Sequence, residues 1–248
     1  MNGCSPLVMI HGLLGSIDYF APAEHLPGVA VHTPDLRGYG AHRHADPQTV
    51  DLPGQARHIA EYLHQHVDGA AWLLGHSVGG AVAMLAAAQA PDRVRGVISV
   101  EGNFTLDDAF RCRRIAALEP GDWQSEYQRM CGDESAWLRA GGIEPTPQRA
   151  LWARRILDNQ PGATVQAMAR SVVTETGGPA YLANVRSLVD GGMPICLLAG
   201  ETSRAAWDVP AWVTAAALCD TSLPAVGHMM MLESPQAFCA AVREITER

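Results

Sequence analysis

Residues 75–79 read Gly-His-Ser-Val-Gly, a spacing suited to a serine held for nucleophilic attack. The four residues Ala71–Leu74 before it are apolar, and the stretch Gly79–Ala90 after it is alanine-rich and closed by Pro91. A strand is therefore expected to turn directly into a helix at Ser77. Small residues two places before and two places after the serine let the two backbones approach at such a turn. The serine is then expected in a strained conformation with its hydroxyl exposed. The free N–H groups of the helix start would face a developing oxyanion. A plain glycine-rich turn is the bland alternative, and the strand before and helix after argue against it.

Other routes are closed or weak. All eighteen Lys+Arg residues of the 248 are arginine, so neither a Schiff-base lysine nor a Ser-Lys dyad exists. The six cysteines, Cys4, Cys112, Cys131, Cys196, Cys219 and Cys239, form no C-x-x-C pair. Several sit in apolar runs and read as small buried hydrophobes of a reducing compartment. His42 with His44, and His64 with His66, have metal-like spacing but no nearby acidic or cysteine partner, so solvated surface is expected. No metal and no cofactor are expected. The net charge of -8 is spread without blocks, which excludes the basic stripe of a nucleic-acid binder. With no membrane-length apolar run and no leader-like start, the expected location is cytoplasmic.

The elements that must position Ser77 alternate. Short apolar runs at Leu7–Ile10, Val29–His32, Ala71–Leu74, Val94–Val100, Pro194–Ala199 and Thr221–Val226 are separated by helical stretches, including 51–66, 79–90 and 234–247. This pattern predicts a parallel sheet covered on both faces, with chemistry at the strand C-terminal ends. Residues 104–190 break the rhythm: they show no clear strand and hold Trp123, Trp137, Trp152 and ten of the arginines. They are read as a helical cap insertion into a catalytic core formed by 1–103 and 191–248. The tryptophans are expected to pack its helices and the arginines to form a solvated face. One arginine lining the cleft, to hold an anionic group, is the minority alternative.

Five segments together resemble the α/β-hydrolase superfamily: the 75–79 motif, His11-Gly12-Leu13-Leu14-Gly15-Ser16, Asp35-Leu36-Arg37-Gly38-Tyr39-Gly40, the run 194–200, and Gly227-His228 with the helix beyond it. The chain opens close to that family's third strand. The resemblance therefore implies about six mainly parallel strands, with the first two family strands absent or vestigial. It implies Ser77 as nucleophile, His228 as its base, and the backbone N–H groups of Leu13 and Val78 as oxyanion donors. The family's usual acid position, three residues after Gly200, is here Ser203. The resemblance then points to the alternative slot after the preceding strand, Glu101, with Glu201 and Asp208 as competitors. The implied activity is hydrolysis of a carboxylic ester, with a small or medium acyl group, through an acyl-enzyme. Thioester hydrolysis, lyase chemistry and ligand binding remain the alternatives, and a small-molecule ester or thioester is the expected partner.

Overall fold

A computed structural model describes residues 5–248 of the chain; Cys4 lies outside them. Four strands are mainly apolar and buried on both faces, apart from the exposed Arg95 of β4: β1 (Leu7–Ile10), β3 (Ala71–His76), β4 (Val94–Val100) and β5 (Ile195–Gly200). At the edges lie β2 (Val31–His32) and β6 (Cys219–Leu223), the latter buried only at its two ends. The six strands form one sheet in the order β2-β1-β3-β4-β5-β6, and every neighbouring pair is parallel.

Among the described residues, twelve α-helices accompany the sheet. The first three are α1 (Pro22–His25), α2 (Leu52–His66) and α3 (Val78–Gln89). Then come α4 (Phe110–Ala117), α5 (Pro120–Gly132), α6 (Glu134–Ala140), α7 (Pro147–Asp158), α8 (Gly162–Thr176) and α9 (Pro179–Asp190). The last three are α10 (Ala211–Ala216), α11 (Met230–Glu233) and α12 (Pro235–Thr246). None among the described residues is long and apolar enough to cross a membrane. Residues 104–190 hold six of these helices and no strand.

Alternation along the strands divides the core into two layers. Val8, Ile10, Leu73 and Val97 face α2 and α3, whose Ile59, Leu63, Val82 and Met84 are buried there with Val165 and Met168 of α8 and Val185 of α9. Leu7, Met9, Leu74, Ile98 and Leu198 face the opposite side, where Phe238 and Val242 of α12 and Ile156 of α7 pack. The expected strands fall where the apolar runs lie, with two differences at the edges. The second run contributes only Val31–His32, and the last strand is Cys219–Leu223 rather than Thr221–Val226. Pro224 has no N–H for a ladder and ends β6 there. Ser234 and Pro235 occupy the N-cap and first position of α12, although the serine side chain makes no capping bond.

Candidate active site

The elbow forms because two glycines allow it. A Cβ on Gly75 would lie 2.2 Å from the Gly79 carbonyl oxygen, and a Cβ on Gly79 would lie 2.5 Å from the Ile10 and His11 carbonyls. With neither present, β3 runs straight into α3, and Ser77 takes φ 54° and ψ −124° between them. This strained backbone is held on both sides. The Ser77 N–H donates to the Val100 carbonyl at 3.0 Å, and its carbonyl accepts from Gly80 at 2.8 Å and from Asn103 at 3.2 Å.

Glu101 directly follows β4 and is itself at φ 42°. It is 6% exposed, and its backbone N–H donates to the Leu198 carbonyl of β5. One carboxylate oxygen, Oε2, accepts from His228 Nδ1 at 2.7 Å. The other, Oε1, accepts from the Gly200 N–H at 2.8 Å and from the Ser203 hydroxyl. Burial alone would raise the Glu101 pKa. The His228, Ser203 and Gly200 donors outweigh it and hold the carboxyl below its ordinary range. The structure thus brings Glu101 to His228, and the competing acids elsewhere. Glu201 accepts from the Ala225 N–H, and Asp208 accepts from Thr105 on the exposed rim. Ser203 stands where the family's usual acid is expected and donates to the carboxylate that reaches the same place from β4.

His76, inside the elbow, packs beneath the site. Its ring centroid lies 4.7 Å from that of His228, and its Nε2–H donates to the His228 carbonyl at 2.9 Å. Burial, reinforced by the His228 charge, pushes the His76 pKa down to about 3, so it is neutral at ordinary pH. Among the described residues, the backbone N–H groups of Leu13 and Val78 have no protein acceptor, which leaves both available.

Ser77, His228, Glu101 and Leu13 line one cavity of about 180 Å³. Its far wall comes from the start of α4, with Ala109, Phe110 and Cys112, and from Trp137 and Trp207. Trp207 is anchored by its indole N–H on the Gly102 carbonyl at 2.8 Å. Of the three tryptophans in 104–190, Trp123 is buried and donates to the Gly162 carbonyl, Trp152 packs against Tyr19, and Trp137 faces the cavity. Four of the ten arginines in 104–190 form ion pairs at the surface, Arg113 with Asp107, Arg114 with Glu126, Arg154 with Glu134 and Arg186 with Asp190, while Arg111 lies at the cavity wall. No cluster of three or more metal-ligating side chains occurs among the described residues.

Sequence reasoning placed His76 under the site but did not single out Trp207, nor the bond that Ser203 makes to Glu101. Trp207 and Ser203 follow the strand β5, and only their packing reveals their partners.

Comparison with known proteins agrees with this fold. A family model described as alpha/beta hydrolase fold matches residues 5–206. The lipase LipV of Mycobacterium tuberculosis is 37% identical over 116 residues, 46% of this chain and 43% of that protein. The matched region thus spans less than half the length of that relative. A pimeloyl-[acyl-carrier protein] methyl ester esterase of Aliivibrio salmonicida is 29% identical over 205 residues, 79% of this chain and 74% of that one. Among solved structures, an esterase from Thermogutta terrifontis superimposes with a TM-score of 0.72 at 22% identity, covering 98% of this chain and 89% of that one. The family match, the parallel sheet and the strained serine elbow make this chain a member of the α/β-hydrolase fold family.

Proposed function

We propose that the chain is a serine hydrolase that cleaves a carboxylic ester through an acyl-enzyme. In this reading Ser77 Oγ bonds to the ester carbonyl carbon while its proton passes to His228 Nε2. The carbonyl oxygen, now anionic, is held by the Leu13 and Val78 N–H groups. As the C–O bond to the alcohol breaks, His228 returns the proton to the departing oxygen. Water repeats the cycle on the acyl-enzyme and releases the acid. Glu101 stays ionised throughout, fixes His228 with its proton on Nδ1 and stabilises the imidazolium that forms.

The observation that carries this reading is the 2.7 Å contact between His228 Nδ1 and Glu101 Oε2, on a cavity that Ser77 also lines. A volume of about 180 Å³ lies below the ~300–1,000 Å³ of drug-sized ligand sites and favours a small or medium acyl group. Residues 104–190 serve in this reading as the cap that shapes the acyl and leaving-group sides.

The test is rapid-mixing kinetics with nitrophenyl acetate, butyrate and octanoate. A nitrophenol burst equal to the enzyme concentration, strongest with the shorter esters and absent in Ser77→Ala, is expected. No turnover of any ester, with turnover of the matching thioesters, would move the activity to thioester hydrolysis.

A further inference from the structure

The loop 11–16 carries the Leu13 N–H but belongs to no helix or strand. Three consecutive peptide planes in it are each gripped by a side chain. A peptide's C=O and the following N–H lie in one rigid plane, so fixing one aims the other. The Gly12 carbonyl, in the plane of the Leu13 N–H, accepts from His11 Nδ1 at 2.9 Å. His11 is buried, which lowers its pKa, and its Nε2 accepts from the Leu36 N–H at 3.3 Å. The Leu13 carbonyl, in the next plane, accepts from the fully buried Tyr39 hydroxyl at 2.9 Å. The Gly15 N–H, in the third plane, donates to Gln160 Oε1 at 2.9 Å.

Gln160 follows α7 in the helical insertion and is 2% exposed. Its Nε2 donates to the Tyr127 hydroxyl of α5 at 2.6 Å and to the Ile156 carbonyl of α7 at 3.1 Å. Neighbouring Asn159 accepts, through its carbonyl, from the Gly40 N–H at 2.8 Å. The same short segment thus holds both the loop 11–16 and the turn that carries Tyr39. Neither Gln160 nor Tyr39 lines the cavity.

We propose that Gln160 and Tyr39 are positioning residues for the oxyanion donor, and that Gln160 ties the placement of the Leu13 N–H to the packing of α5 and α7. This inference rests on the reading of Leu13 as that donor. Because the two side chains stay off the cavity wall, their loss leaves ground-state contacts with substrate in place. What it disturbs is the aim of an N–H that matters most once the carbonyl oxygen is anionic.

The test uses the full chain with Gln160→Met and Tyr39→Phe. For each, kcat and KM are measured on nitrophenyl butyrate, together with Ki for an alkyl trifluoromethyl ketone and the melting temperature. The ketone adds to Ser77 Oγ with transfer of its proton to His228, and its oxygen becomes the anion the loop must hold. A displacement approaching 1 Å costs on the order of 100-fold. The expected result is a fall in kcat of roughly 10- to 100-fold for Gln160→Met and a smaller fall for Tyr39→Phe. KM should stay within about threefold, and Ki should rise in parallel with the loss in kcat/KM. Should Gln160→Met fail to fold, Tyr39→Phe, which deletes one oxygen, decides alone. Unchanged kcat in folded variants, or a loss confined to KM with Ki unmoved, overturns the proposal. A parent enzyme without burst or ketone inhibition removes the Ser77 reading and this inference with it. A parent that shows both, matched by both variants, removes the inference alone.

Discussion

Glu101→Gln exchanges one oxygen for an NH2 group and leaves the shape of the side chain unchanged, so its effect can be worked through from the hydrogen bonds. Oε1 already accepts two donors, the Gly200 N–H and the Ser203 hydroxyl. A glutamine will keep its carbonyl oxygen there, because the reverse orientation sets an NH2 against a buried N–H at a cost of about 1–3 kcal/mol. The NH2 group then faces His228, 2.7 Å away in the parent. Nδ1 must accept, the ring proton moves to Nε2, and that nitrogen can no longer take a proton from Ser77. The serine-protease precedent for this tautomer error is a loss of about 10,000-fold. Allowing for partial population of the reversed amide, the expected fall in kcat/KM is roughly 10³- to 10⁴-fold, or about 4–5.5 kcal/mol of barrier. Steady-state hydrolysis of nitrophenyl butyrate measures it, with circular dichroism to establish that the variant is folded. A folded Glu101→Gln enzyme within about tenfold of the parent would refute the reasoning.

Further consequences concern the same residues. Glu201→Gln and Asp208→Asn should each keep kcat/KM within a few-fold of the parent, since their carboxylates bond to Ala225 and Thr105 rather than to His228. Loss in Asp208→Asn with full activity in Glu101→Gln would move the acid. Ser77→Gly should abolish turnover yet stabilise the fold by about 1 kcal/mol, because glycine tolerates φ 54°, ψ −124° without the strain of a serine. A calorimetric melting temperature raised by about 2–4 °C would show it. His76 binds a proton in the unfolded chain near its ordinary pKa of 6.5 but in the folded protein only near about 3. Its contribution to stability is therefore complete above pH 6.5 and declines by ~1.4 kcal/mol per pH unit as pH falls toward 3. Denaturant titrations of His76→Gln should show a shallower acid limb across that window. Glu101, depressed in the fold, contributes stability above its unfolded pKa of about 4.5 that is lost as pH falls through its folded pKa. The stability difference between parent and Glu101→Gln should shrink there.

The elbow was legible in the sequence because its constraints are local: glycines two residues either side of Ser77, an apolar run before and an alanine-rich helix after. The same holds for the central strands, where burial on both faces makes the apolar run continuous. At the edges the signal is diluted. β2 shrank to two residues, and the apolar pull of Leu223, Ala225 and Val226 drew the last expected strand past Pro224. The Glu101 position was reachable because its neighbours resemble a known slot, but its environment was not. Ser203 sits 102 residues away and still donates to it, and no spacing rule links the two. Gln160 is the extreme case, 145 residues from the Gly15 N–H it accepts and placed in a segment whose sequence reads only as helix. Such long-range polar contacts are set by how helices dock. Hydrophobic periodicity reports which face of a helix is buried and is silent about which amide meets which carbonyl.

The central claim is that Ser77 becomes acylated by an ester. Acid-quenching the enzyme within milliseconds of mixing with nitrophenyl butyrate, followed by intact-mass and peptide mass spectrometry, tests it directly. The account predicts one butyryl group per chain, mapped to the peptide containing Ser77, and accumulating further in Glu101→Gln if deacylation slows more than acylation. Nitrophenol release by the parent with no adduct at Ser77, or with the acyl group on another residue, would contradict it.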